Sequence, residues 1–138
     1  MSEQHPLEVQ KRWAEIAMSG NLDGFDDILA PGIVDHDPAP DQGPGPAGFK
    51  RFFTALRAAF PDLKISPEHA IETENEVAVA YTIEGTHDGP FLGIPPTGKR
   101  VKARGLQIAR FENGQAVERW GSSDELGILK QLGAKIGS

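Results

Sequence analysis

The chain has 138 residues and no cysteine, and its 14 basic and 20 acidic side chains give a formal net charge of −6. This length fits one domain, 1–138, with a single core, while the missing cysteines exclude disulfides and thiolate metal sites and the negative charge disfavours nucleic acid and anionic membranes as partners. With no signal-peptide pattern and no apolar run approaching the ~20 residues that cross a bilayer, the sequence favours a cytoplasmic protein.

The N-terminal third is predicted to be helical. Apolar residues at helical spacing predict a first helix from Pro6 to about Gly20. A second, shorter helix is expected to begin at a cap on Asn21 and to end at Pro31. Two helices therefore precede the first strand.

A short strand, a proline-rich loop and a third helix follow. Residues 33–37 are compatible with a β-strand, and the prolines of 38–46 exclude both helix and sheet interior. Five apolar residues at helical spacing between Phe49 and Phe60 predict an amphipathic helix that Pro61 ends.

The second half changes to the two-residue period of β-strands. We predict four strands over residues 63–72, 76–86, 101–112 and 115–122, the last two joined by a tight turn at Asn113-Gly114. A Ser-x-x-Glu capping pattern at Ser122 is expected to begin a final helix that reaches about Leu132. Helices followed by antiparallel strands predict an α+β fold.

Several short motifs resemble one known family. They include Gly85-Thr86-His87, Pro96-Thr97-Gly98 and Glu118-x-Trp120, with supporting matches at 45–48, 60–62 and 131–133. Together they resemble the SnoaL-like polyketide cyclases, a branch of the nuclear transport factor 2-like superfamily. The resemblance implies a cone-shaped fold in which helices pack on a curved, mainly antiparallel sheet around a pocket. It also implies aldol-type ring closure without a cofactor, a hydrophobic or polyketide-like substrate, and a homodimer formed through the exposed sheet face.

The resemblance nominates Asp124 as the catalytic acid/base group, because this residue follows the Trp120 strand motif. A carboxylate of this kind would remove a proton from carbon between two carbonyl groups. The alternative is a helix cap, in which Asp124 interacts with free backbone amides at the start of the last helix.

His36 is the second catalytic candidate, because the segment 34–38 resembles a family feature at the pocket. Its imidazole could polarise a carbonyl group or hold a water. A histidine satisfied by backbone at the end of a strand is the alternative. The four histidines have no short metal-ligand spacing, so the sequence predicts no metal site.

Further residues are candidates for the wall of a substrate pocket. Glu118 and Trp120 share strand parity with Asp124 and would project from one face. Gln107 lies on a strand face rich in small residues, where it could enter a cavity. Candidates for the apolar wall, each with plain core packing as the alternative, are Trp13, Phe53, Tyr81 and Phe91.

Fold resemblance alone does not fix the reaction, because one fold can carry many chemistries. The alternatives within the same architecture are an isomerase, an epoxide hydrolase or a hydroxylation partner. A non-catalytic protein that binds a small molecule, or a dimerisation module, is the alternative from another class.

Overall fold

The computed structural model describes residues 5–134, which form helices packed on one face of a single sheet. In chain order the elements are α1 (Pro6–Ser19), a 3-10 turn (Leu22–Gly24), α2 (Phe25–Ile28), β1 (Leu29–Asp35), α3 (Gly45–Ala59), β2 (Lys64–Glu72), β3 (Glu76–Thr86), β4 (Arg100–Glu112), β5 (Gln115–Ser123) and α4 (Glu125–Gln131). The α+β prediction is confirmed.

The five strands lie in the order β1-β5-β4-β3-β2. Strand β1 runs parallel to β5, and the other three pairs are antiparallel. The turn between β4 and β5 has Asn113 at φ 53° and Gly114 at φ 76°, as a tight hairpin with two positive φ angles requires. The mainly antiparallel sheet and this hairpin agree with the sequence predictions.

The second helix is much shorter than predicted. It ends at Ile28, and Leu29 already has the extended angles φ −113° and ψ 126° that begin β1. Pro31 therefore lies inside a strand instead of ending a helix. This position tolerates proline because β1 is an edge strand, where a missing N–H need not break a ladder.

The last helix also begins later than the capping pattern predicts. Ser122 and Ser123 still pair with β4, opposite Leu106 and Gly105, so neither can be the cap. Asp124 takes that place, and its side chain accepts a hydrogen bond from the backbone N–H of Gly127.

The core lies between the helices and the inner face of the sheet. Buried residues of α1, including Val9, Trp13 and Ala17, pack with Val77 and Phe111 of β3 and β4. A second cluster around Leu56 and Ile128 closes the other end. The space that remains between α1, α3 and the sheet is a cavity.

Candidate functional site

The cavity has a volume of about 340 Å³, a size suited to a small organic ligand. Its floor is the inner face of β2 to β5, and its walls come from α1, α3, α4 and the loops at 37–42 and 91–92. Most of its wall is apolar, and the larger side chains are Leu7, Trp13, Phe49, Phe52, Phe53, Leu56, Ile65, Val79, Ile83, Phe91, Leu92 and Ile128.

The polar end of this cavity is organised around Arg119 on β5. Its Nη1 donates to Asp35 Oδ1 at 3.0 Å, and its Nε donates to Gln107 Oε1 at 2.8 Å. The Asp35 side chain is 8% exposed and that of Arg119 is 16% exposed. A positive charge is thus fixed in direction beside an apolar space, where it acts more strongly than in water.

Amide side chains extend this network on both sides. Gln107 Nε2 donates to Gln10 Oε1 of α1 at 3.1 Å. Gln42 Nε2 donates to Asp35 Oδ2 at 3.0 Å, and its Oε1 accepts from the backbone of Ala39. Both oxygens of Asp35 are therefore occupied, so this carboxylate orients Arg119 and is not available as a base.

Asp37 supplies the second carboxylate at this end, and it lines the cavity at an exposed edge. Its Oδ2 accepts from the backbone N–H of Gly121 at 2.9 Å. Among residues 5–134, no hydrogen bond to its Oδ1 is present. Asp37 can therefore accept a proton from a bound molecule while its position stays fixed.

Two glycines make room for the polar end. A Cβ on Gly121 would lie 2.4 Å from Nη2 of Arg119, and a Cβ on Gly105 would lie 2.3 Å from Cζ of Tyr81. Burial raises the pKa of the Tyr81 phenol, and the nearby Arg119 charge lowers it by a smaller amount. Tyr81 is thus neutral at physiological pH and can donate its proton.

Five of the residues predicted for the pocket do line the cavity: Trp13, Phe53, Tyr81, Phe91 and Gln107. The small-residue strand face predicted for Gln107 is also present, since Gly105, Gln107 and Ala109 are all buried. Contact of these side chains with a substrate stays a prediction.

Glu118 and Trp120 lie on the opposite face of the sheet, which corrects the shared pocket face predicted from their parity. The cause is a β-bulge near Val117, where Phe111 pairs with Ala116 but Arg110 pairs with Glu118. This extra residue reverses the side-chain alternation along β5. Arg119 then faces the cavity.

His36 lies on that outer face as well. Its ring stacks on Trp120 with centroids 4.7 Å apart, and its Nε2 is 2.8 Å from Glu118 Oε2. The hydrogen bond to His36, with a further one to Arg110, lowers the pKa of Glu118. His36 is not part of the cavity wall, and its predicted catalytic role stays untested.

Asp124 is not part of the cavity wall either. Its Oδ1 accepts from Gly127 N–H at 2.9 Å, which is the helix-cap alternative. Its predicted role as acid/base stays untested, and its position gives that role no support.

The sequence did not single out Arg119, and Asp35 and Asp37 entered only as members of the segment 34–38 that was quoted for His36. The sequence contained both parts, an acidic strand end at 35–37 and the arginine of Glu118-Arg119-Trp120, but Asp35 and Arg119 are 84 residues apart in the chain. Their meeting depends on the parallel pairing of β1 with β5, which places Asp35 opposite Arg119.

Among the described residues, no group of three or more His, Asp or Glu side chains is placed to hold a metal ion. None of the helices in this part of the chain is long and apolar enough to cross a bilayer. The groups at the polar end suit proton transfer and binding of a carbonyl oxygen: a fixed cation, a neutral phenol and a carboxylate.

The known proteins that this chain resembles include polyketide cyclases. A family model described as SnoaL-like polyketide cyclase matches residues 7–132. The chain is 27% identical to aklanonic acid methyl ester cyclase DnrD of Streptomyces peucetius, over 92% of this chain and 90% of that protein. It is 29% identical to nogalonic acid methyl ester cyclase of Streptomyces nogalater, over 83% of this chain and 87% of that protein.

A solved structure is similar along nearly the whole chain. IdmH, a candidate polyketide cyclase from Streptomyces antibioticus, superposes with a TM-score of 0.83 at 30% identity, over 95% of this chain and 100% of that one. The similarity therefore covers the helices and the sheet.

Proposed function

This chain belongs to the SnoaL-like polyketide cyclase family, and we propose that it closes a ring in a polyketide-like substrate by intramolecular aldol addition. The observation that carries the proposal is the fixed Arg119 guanidinium at one end of an apolar cavity of about 340 Å³. A flat, largely apolar molecule would occupy the cavity, with a carbonyl oxygen directed toward Arg119.

Asp37 is the proposed base. Its carboxylate removes a proton from the carbon between two carbonyl groups, and the resulting enolate carbon attacks a second carbonyl carbon of the same molecule. Such a carbon is already acidic, so a carboxylate is a sufficient base. The forming alkoxide is stabilised by hydrogen-bond donors that are fixed before the reaction begins.

Arg119 is proposed to bind the reacting oxygen. Its Nε and Nη1 are held by Gln107 and Asp35, whereas Nη2 lies over Gly121 and, within the described residues, donates to no carboxylate or amide. This nitrogen can donate to substrate without a change in the rest of the network. The steps are proton transfers and one C–C bond formation, so the reaction needs no cofactor.

The experiment is an incubation of purified protein with the methyl esters of aklanonic and nogalonic acid, the compounds named for the two relatives. An aldol closure gives a product of unchanged mass and altered chromatographic retention, absent with heat-inactivated protein. A product heavier by one oxygen atom would favour the hydroxylation alternative. Binding of both esters without conversion would favour the non-catalytic alternative.

A homodimer through the outer face of the sheet is proposed as well. A row across four strands carries Ile71, Ala78, Ile108 and Trp120 in register, and Ile71 and Ile108 are 60% and 46% exposed. Apolar rows of this kind mark association surfaces, and a second copy presents the same face. Sedimentation should show that Ile108→Asp converts the dimer to a monomer. Leu126→Asp on α4 is the control and should leave the dimer intact. A monomeric unaltered protein would contradict the proposal.

A further inference from the structure

Tyr81 is the only tyrosine in the chain, and its position is set by a glycine on the neighbouring strand. Tyr81 on β3 pairs with Gly105 on β4. A Cβ on Gly105 would lie 2.5 Å from the Tyr81 hydroxyl oxygen, so the phenol lies flat over the glycine. No residue with a side chain could stand at 105 without displacing it.

The Tyr81 ring lies over Gly105 of β4, and the Arg119 guanidinium lies over Gly121 of β5, which pairs with Gln107. Residue 105 is two positions from Gln107 on β4, and Gln107 accepts the hydrogen bond from Arg119. The Arg119 charge is close enough to Tyr81 to act on its ionisation. Tyr81 and Arg119 therefore present an O–H and an N–H donor to the same part of the cavity.

The other polar groups at this end are less suited to give up a proton. Asp35 is held by Arg119 and Gln42, and Gln107 is held between Arg119 and Gln10. An amide has no labile proton of suitable acidity, and Asp35 is an ion-pair partner. Tyr81 is the neutral O–H group that combines burial with a neighbouring positive charge.

We propose that Tyr81 is a catalytic residue that donates its phenolic proton to the carbonyl oxygen that becomes an alkoxide on ring closure. This inference rests on the proposed cyclase function. Asp37 takes the proton from carbon, the new C–C bond forms as the C=O π bond opens, and the O–H bond of Tyr81 breaks as the product hydroxyl forms. The Asp37 proton then returns to the phenolate through water, and Arg119 stabilises the phenolate in the interval.

The first test does not depend on turnover. The probe is 2-acetyl-1-tetralone, a fused-ring β-diketone whose enolate is distinguished from the neutral enol by its ultraviolet absorbance. Hydrogen bonds to a charged oxygen are stronger than those to a neutral one. The acid dissociation constant of the bound diketone should therefore be about tenfold smaller in Tyr81→Phe than in the unaltered protein.

Gly105→Ala is the second variant, because it keeps the hydroxyl and moves it. Its Cβ would displace the Tyr81 ring. The acid dissociation constant of the bound diketone should therefore be smaller than in the unaltered protein, as in Tyr81→Phe. Gly32→Ala is the matched control, since a Cβ on Gly32 meets nothing within 4 Å. A bound diketone that ionises equally in the unaltered protein and in Tyr81→Phe would overturn the inference, and so would failure of the diketone to bind.

Turnover separates this inference from the proposed function. If the unaltered protein cyclises a substrate, Tyr81→Phe should lower kcat about 10²-fold or more with KM nearly unchanged, the range expected for loss of an acid catalyst. Undiminished kcat in Tyr81→Phe would exclude Tyr81 as the proton donor and leave the cyclase proposal intact. No turnover by the unaltered protein, with the enolate of the diketone still stabilised by Tyr81, would refute the cyclase and retain an enolate-binding site.

Discussion

Gly121 lies directly beneath the guanidinium of Arg119, and a Cβ at that position would stand 2.4 Å from Nη2. The backbone N–H of the same glycine donates to Asp37 Oδ2 at 2.9 Å. One residue therefore provides the space for the cation and holds the carboxylate. The cation and the carboxylate are the two groups that the proposed reaction needs.

Gly121→Ala should disable the site. The added methyl group forces the guanidinium away from its position, and misplacement of a catalytic group by about 1 Å can cost about 10²-fold in rate. The measurement is kcat for cyclisation of the methyl ester, together with thermal unfolding. Gly32→Ala on β1 is the control and should retain full activity. An active Gly121→Ala would mean that catalysis does not need the Arg119 guanidinium at its observed position.

Asp35→Ala should destabilise the fold by about 3 kcal/mol, because it leaves the buried charge of Arg119 without its partner. The double variant Asp35→Ala/Arg119→Met removes both charges and should be more stable than Asp35→Ala alone. Urea unfolding of the two single variants and the double variant measures the coupling. A double variant that loses the sum of both single losses would contradict an interacting pair.

Substitutions of Asp124 distinguish its role as a helix cap from a catalytic role. Asp124→Ala should cost about 1 kcal/mol of stability, and Asp124→Ser should recover most of it because serine also caps helices. Both variants should retain kcat. A folded Asp124→Ser with kcat reduced about 10²-fold would instead support the acid/base role predicted from the family resemblance.

Tyr81 should ionise above the ordinary tyrosine value of about 10. Burial raises the pKa of its phenol and Arg119 partly offsets this increase, so Arg119→Gln should move the pKa higher still. Since Tyr81 is the only tyrosine, tyrosinate absorbance against pH reports it directly. As pH rises through the unfolded value, the unfolded chain loses this proton first, and the free energy of unfolding should fall.

A Tyr81 that ionises at the same pH in the folded and in the urea-unfolded protein would contradict its burial. An Arg119→Gln variant with a lower pKa for Tyr81 would contradict the placement of the guanidinium beside the phenol. Lys50→Gln, which removes a surface cation bonded to Asp26, is the matched control and should leave the titration of Tyr81 unchanged.

Periodicity predicted the fold well wherever an element had a buried and an exposed face. The alternation along β3 and the stripe of α3 identified both the elements and the faces they bury. It was weaker at 21–32, because apolar residues of α2 run directly into β1 without a break in hydrophobicity. In this segment the pairing of edge strand β1 with β5 determined the structure, although Pro31 favours the end of a helix.

The wall of the cavity was predictable and its polar end was not. Trp13 and Phe53 belong to apolar stripes that any packed helix must bury, so their faces follow from spacing alone. Arg119 faces the cavity because of one bulge at Val117, and nothing in the residue types there marks an extra residue in the ladder. The pairing of β1 with β5 is a long-range contact that local patterns do not contain.

The rate of Asp37→Asn relative to the unaltered protein tests the central claim most directly. Asn can still accept the hydrogen bond from Gly121, so the substitution removes the base and keeps the shape. Asp41→Asn in the same loop is the matched control, since Asp41 is exposed with φ 61°, a conformation that asparagine adopts readily. We predict a loss of about 10²- to 10⁴-fold in kcat for Asp37→Asn and none for Asp41→Asn. Equal rates in both variants would contradict ring closure by Asp37 at the polar end of this cavity.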